Sequence, residues 1–228
     1  MKRSTTNAAI IAIVAIAIGA RIGDADLENQ VFTSKSARLR IVVPRGWRAT
    51  DQPSYPGLLL WMMRSQPEGR IVLTFEPLTH ELYCSWPDKC RLSKDPLASR
   101  MACALREKLH DTYGMHVGPI QAGPKENEEA GLPSVWIEYD DGRHFLRHAI
   151  AFDEDRAAVS LVLSSPTSQA RAAHVRAFEQ ALRTLHVLAQ SEAGSADSTG
   201  SGDVGSAARG SDSAAAPRID PIGPCTQK

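Results

Sequence analysis

Residues 58–63, Leu-Leu-Leu-Trp-Met-Met, are apolar at every position, and no other stretch constrains the fold as much. Side chains alternate between the two faces of a strand, so a strand apolar on both faces needs cover on both. Gln66-Pro67-Glu68-Gly69 supplies a turn after the run. Arg70 to Pro77 then follows, with Ile71, Leu73 and Phe75 on one face and Val72 and Thr74 on the other. The two segments read as a hairpin.

Two segments can supply the cover. Asp95-Pro96 opens a helix in which Leu97, Met101, Leu105 and Leu109 recur at four-residue spacing, and Gly114 ends it. Ser164-Ser165-Pro166-Thr167 starts a closing helix with Val175, Phe178, Leu182 and Leu185 on one stripe and Arg171, Arg176 and Arg183 off it. Further strands are expected at Leu39–Val43, ended by Pro44-Arg45-Gly46, at His116–Gln121, and at Val135–Asp140. Asp141-Gly142 is a hairpin-turn signal before Arg143–Phe152, and Asp153-Glu154-Asp155 turns the chain into Ala157–Leu163. Short turns between consecutive strands make them antiparallel. The expected fold class is α+β, a twisted antiparallel sheet covered by one helix on each face.

The ends of the chain are different material. Lys2 and Arg3 precede an apolar run from Ala8 to Ala20, followed by Asp24, Asp26 and Glu28. That is the layout of an export signal. As a helix the run spans roughly 20 Å, short of the ~30 Å of a bilayer core. Residues 1–20 are therefore expected to be a signal peptide, with an uncleaved membrane anchor as the alternative. Residues 189–228 are rich in Ser, Gly, Ala and Asp and are expected to be a disordered tail. The glycines between Gly200 and Gly205 follow no strand, so a phosphate loop is rejected. Between the ends lie roughly 160 residues, the size of one domain. Lys plus Arg and Asp plus Glu number 26 each, which gives no basic surface for nucleic acid.

In an exported chain the cysteines at 84, 90, 103 and 225 suggest disulfides. Cys84 and Cys90 bracket a turn-forming Ser-Trp-Pro-Asp-Lys, so a Cys84–Cys90 bridge is favoured. Cys103 lies on the polar side of its helix with Arg100, Arg106, Glu107 and His110, and a bridge from it to Cys84 or Cys90 is the alternative. His80 permits a zinc reading of this group, but the spacing matches no common zinc motif. No metal and no cofactor are expected.

Other chemistries are weighed and set aside. No Gly-x-Ser-x-Gly is present for a serine hydrolase. A thiol enzyme would need an activated Cys103, for which a half-cystine is the favoured reading. His144 and His148 would need a third metal ligand from a neighbouring strand. Asp153-Glu154-Asp155 reads as a solvated hairpin tip rather than a calcium loop. Glu128-Glu129 and Asp140-Asp141 are adjacent pairs, which a strand points to opposite faces, so neither is a catalytic dyad. No catalytic residue is expected. The loop Tyr83-Cys84-Ser85-Trp86-Pro87 is expected to offer a contact surface through Tyr83 and Trp86.

The element order, the strand Leu39–Val43 ending in Pro44-Arg45-Gly46-Trp47, the hairpin run Gly69-Arg70-Ile71-Val72-Leu73, and the closing run Ala177 to Leu185 resemble the PsbP-like superfamily. The resemblance covers roughly residues 30 to 188, within a domain expected at 27–188. It implies a PsbP-like α/β/α sandwich and a non-enzymatic, partner-binding or accessory role, with no catalytic residue to transfer. The expected function is thus an exported, non-catalytic binding or accessory protein of the bacterial envelope, periplasmic or extracellular. Its partner would be another protein or envelope component. The alternatives are a membrane-tethered version of it, if the N-terminal segment stays uncleaved, and a small thiol-dependent enzyme.

Overall fold

The computed structural model describes residues 25–28, 30–51, 56–123, 132–153, 157–188 and 225. The expected export segment, the tail apart from Cys225, and Glu128, Glu129, Glu154 and Asp155 lie outside these. In chain order the elements are β1 (Ala25–Glu28), β2 (Val31–Ser34), β3 (Leu39–Val42), β4 (Arg48–Asp51), β5 (Leu58–Ser65), β6 (Glu68–Pro77), α1 (His80–Cys84), α2 (Asp88–Arg91), α3 (Leu97–Tyr113), β7 (Gln121–Ala122), β8 (Ser134–Asp140), β9 (Phe145–Phe152), β10 (Ala157–Ser165), α4 (Ser168–Arg183) and β11 (His186–Val187).

The expected α+β class holds. Seven strands form one sheet in the order β4-β5-β6-β10-β9-β8-β7, and every neighbouring pair is antiparallel. On one face Leu60, Met62, Ile71, Leu73, Leu161 and Leu163 pack against Phe178, Ala181 and Leu182 of α4. On the other face Ile137 and Ile150 pack against Ala102 and Leu109 of α3. Of the all-apolar run of β5, Leu60 and Met62 therefore sit in the core on the α4 side. No helix among the described residues is long and apolar enough to cross a membrane.

Both long helices end where their chemistry ends them. Gly114, at φ +62°, takes the left-handed position after α3, and its N–H donates to the His110 carbonyl at 2.9 Å. Thr167 caps α4, its hydroxyl oxygen accepting from the Ala170 N–H at 3.1 Å.

Three features differ from the sequence expectation. First, Leu39–Val42 does not join the main sheet. It belongs to a second, four-stranded sheet in the order β1-β2-β3-β11, because the turn at Pro44-Arg45-Gly46 redirects the chain and β3 pairs instead with β2 and β11. Phe32, Leu39 and Ile41 of this small sheet join the α4-side core. Second, His116–Gln121 is not a continuous strand: Val117 bridges Tyr139, and only Gln121 and Ala122 pair with β8. Third, the loop after β6 contains two short helices, α1 and α2.

Two of the residues quoted for the family resemblance, Trp47 and Gly69, meet at His174 of α4. Trp47 is 6% exposed and meets the ring of His174 on α4 edge-on, with centroids 5.0 Å apart. His174 is fully buried, its Nε2 lies 3.2 Å from the Glu68 carbonyl, and its ring presses on Gly69. These residues therefore act as packing between the two sheets and α4.

Candidate functional site

Two regions carry chemistry beyond the core: a cystine-linked corner built by α1, α2 and α3, and the part of the sheet face that lies beside α3.

The corner is assembled around Trp86. Thr79 caps α1, accepting from the Leu82 N–H at 3.1 Å. The link Ser85-Trp86-Pro87 then folds the indole inward, where Trp86 is 6% exposed and packs with Cys90, Ala104, Leu97, Met101 and Phe152. Tyr83 lies against it with ring centroids 5.2 Å apart. The Tyr83 hydroxyl donates to the Arg91 carbonyl at 3.3 Å and accepts from Arg100, whose guanidinium also lies over the Tyr83 ring at 5.1 Å. Of the contact surface expected at Tyr83 and Trp86, the Trp86 ring is buried in the corner, whereas Tyr83 is half-buried against it. Lys89 on α2 bonds Glu107 on α3 and holds that carboxyl below its usual range.

The cysteine pairing also needs correction. Cys84 is bonded to Cys225 and Cys90 to Cys103, with Cα atoms 5.6 Å apart in both, and none of the four is free. A Cys84–Cys90 bridge does not form. Cys90 is fully buried and bonded to Cys103 on α3, whereas Cys84 is half-buried beside the exposed His80. Cys103 is not the exposed thiol its helical position suggested; it packs beside the cluster of Trp86, Cys90 and Ala104. His80 Nε2 lies 3.5 Å from Cys84 Sγ.

The other candidates separate. His144 sits in the turn before β9, its Nδ1 3.6 Å from Asp141 Oδ2. His148 lies within β9 with both ring nitrogens buried and unpartnered, and burial lowers its pKa to about 4. Asp140 and Asp141 accept from the backbone N–H groups of Gly142, Arg143 and His144, and Asp153 accepts from Ala157. Their carboxylates shape hairpin ends.

On the α4 side a small cleft of about 240 Å³ is lined by Trp136, Arg147, Glu179 and Arg183 among others. Arg147 stacks over Trp136 at 4.2 Å and pairs with Glu138 at 2.9 Å and Glu179 at 3.3 Å. Those charges satisfy one another and tie α4 to the sheet. The cleft is also below the ~300–1,000 Å³ of usual small-molecule sites.

The opposite face is more open. The registers of five strand pairs align Thr50, Trp61, Val72, Val162, His148 and Ile137 in one row across the sheet. Ile137 lies under α3, whose main packing is on β8 and β9, whereas Trp61, Val72 and Val162 belong to none of the clusters that α3 forms. These three are only half-buried, and Met63 in the next row is 49% exposed. Arg48 and Arg70 flank Met63 in register, both exposed. Glu76 lies further along this face, and burial raises its pKa against the pull of Lys108. The strip carries no signal in the sequence beyond the all-apolar run, because a run apolar on both faces does not say which half of a face the helix leaves bare.

No protein-family model matches the chain, and no curated protein matches it. The chain is similar to the solution structure of cyanobacterial PsbP (CyanoP) from Synechocystis sp. PCC 6803, at 12% identity over 75% of this chain and 98% of that one, with a TM-score of 0.46. The likeness is one of outline and says nothing of a shared partner.

Proposed function

We propose that this chain is an exported, non-catalytic binding or accessory protein of the bacterial envelope, and that it meets its partner on the open half of the α3-side sheet face. The observation that carries the binding reading is the strip of Trp61, Val72 and Val162 beside Met63, apolar and only partly covered. Exposed apolar strips with a polar rim favour protein contacts. The flanking Arg48 and Arg70 suit a partner with an apolar centre and carboxylates at its rim. The pairing of all four cysteines supports an oxidising compartment.

The test is crosslinking of the intact chain in envelope extract, followed by affinity measurement on whatever protein is captured. Met63→Asp leaves the core untouched, because Met63 points to solvent. It is expected to weaken binding at least about tenfold, as loss of an interface anchor does, and Arg70→Glu to weaken it further. Unchanged binding in both variants would reject the strip as the contact surface.

A further inference from the structure

The two cystines stand in different surroundings. Cys90–Cys103 joins neighbouring helices across 13 residues, and Cys90 is fully buried beside Trp86. Cys84–Cys225 joins residues 141 apart, and both of its cysteines are half-buried beside the exposed His80. His80 precedes Cys84 by four residues, which places both on one face of that helix. The His80 ring nitrogens lie 3.5 and 3.8 Å from Cys84 Sγ. The ligand-capable atoms of His80, Cys84 and Cys225 all lie within 4.8 Å of one another.

We propose that Cys84–Cys225 is a reducible latch and that, once opened, His80, Cys84 and Cys225 form a site for a soft or borderline metal cation, Zn²⁺ or Cu⁺. The inference is independent of the partner-binding reading. A dithiol reductant supplies the two electrons. One of its thiolates attacks a sulfur of the cystine, the S–S bond breaks, and its second thiolate resolves the mixed disulfide. The reductant leaves as a cyclic disulfide, and its two protons end on Cys84 and Cys225. A metal ion then displaces both thiol protons, forming two metal–sulfur bonds and one bond to the neutral imidazole of His80. One nitrogen and two sulfurs suit Zn²⁺ with water in the fourth position, or three-coordinate Cu⁺. Such thiolate sites bind more tightly as pH rises, since each thiol must lose its proton. Oxidised, the latch ties Cys225 to α1 covalently; reduced and metal-loaded, it ties Cys225 to α1 by coordination.

The test uses the full chain. The oxidised protein is treated with graded dithiothreitol, desalted without oxygen, and its released thiols are alkylated and mapped. The expected result is alkylation of Cys84 and Cys225 at reductant levels that leave Cys90–Cys103 closed. The protein reduced to that point is titrated with Zn²⁺ and, separately, Cu⁺ against a competing chelator. One equivalent of either ion is expected to bind, with two protons released per Zn²⁺. His80→Ala keeps both cystines and therefore the fold. Loss of a second-shell partner costs ~10–100-fold, so loss of this direct ligand is expected to cost about 100-fold or more. Opening of Cys90–Cys103 first or together with Cys84–Cys225 would overturn the latch. Binding of neither ion, or binding unchanged in His80→Ala or Cys225→Ser, would overturn the site.

Discussion

Replacing Gly69 by alanine tests the packing of α4 against the main sheet at its tightest point. A Cβ built on Gly69 would lie 2.5 Å from Cδ2 and 2.6 Å from Nε2 of His174. The imidazole has little room to yield. It is fully buried, its Nε2 lies 3.2 Å from the Glu68 carbonyl, and its ring meets Trp47 at a centroid distance of 5.0 Å. Overpacking of this kind costs ~1–3 kcal/mol, and losing the bond to Glu68 adds ~1 kcal/mol. Alanine offsets ~0.4–1 kcal/mol of this by restricting the unfolded chain. The net expectation is a loss of about 2 kcal/mol, a fall of ~1 M in the urea midpoint. The partner variant is His174→Ala, which removes the ring. In that background the added methyl enters the vacated space, and Gly69→Ala should be neutral or stabilising by up to ~1 kcal/mol. The double-mutant cycle should thus report a coupling of ~2–3 kcal/mol, read from equilibrium urea unfolding under non-reducing conditions. Equal costs of Gly69→Ala in both backgrounds would refute the reasoning, because the penalty would then not come from the ring.

Three further outcomes are expected. His148 has its pKa lowered by burial to about 4, so between pH 6.5 and 4 the unfolded chain binds a proton that the folded chain refuses; stability present in full above pH 6.5 should fall by ~3 kcal/mol across that window. Glu76, raised by burial, works in the opposite sense in a window that runs upward from 4.5, so the comparison is urea unfolding of wild type against His148→Leu at pH 7 and 4.5, and parallel pH dependences would contradict the assignment. Opening the 13-residue link with Cys90→Ser and Cys103→Ser together should cost about 3 kcal/mol by the same assay, and no loss would show that the bridge constrains nothing. Gly142 lies at φ +81° with open space around it, so Gly142→Ala should cost ~1–2 kcal/mol through backbone strain alone, and an unchanged midpoint would contradict the turn geometry.

What was legible in the sequence was local. The β5–β6 and β8–β9 hairpins are joined by short turns, and their alternation survives in the registers observed. The stripes of α3 and α4 point at the faces they cover. His174, four residues after Ala170, packs as core on the same helix, although the expected stripe of Val175, Phe178, Leu182 and Leu185 did not include it. What was missed depends on long-range pairing. The small sheet closes when His186 meets Arg40 and Val31 meets Val42, in strands of two to four residues that carry little periodicity of their own. The Cys84–Cys225 bridge spans 141 residues, so no spacing rule points to it. Trp86 sits between two prolyl- and polar-rich turns that read as a loop, yet the α1–α2 pair turns its ring inward. The open strip was hidden for a related reason: α3 is long enough to cover two strands, and only its docking shows which two.

The measurement that bears most directly on the export reading is a non-reducing peptide map, with intact mass, of the protein recovered from envelope and cytoplasmic fractions after alkylation at harvest. The predicted result is a chain in the envelope fraction carrying linked Cys90–Cys103 and Cys84–Cys225 peptides and no alkylated cysteine. A chain found in the cytoplasm with all four thiols alkylated would contradict it.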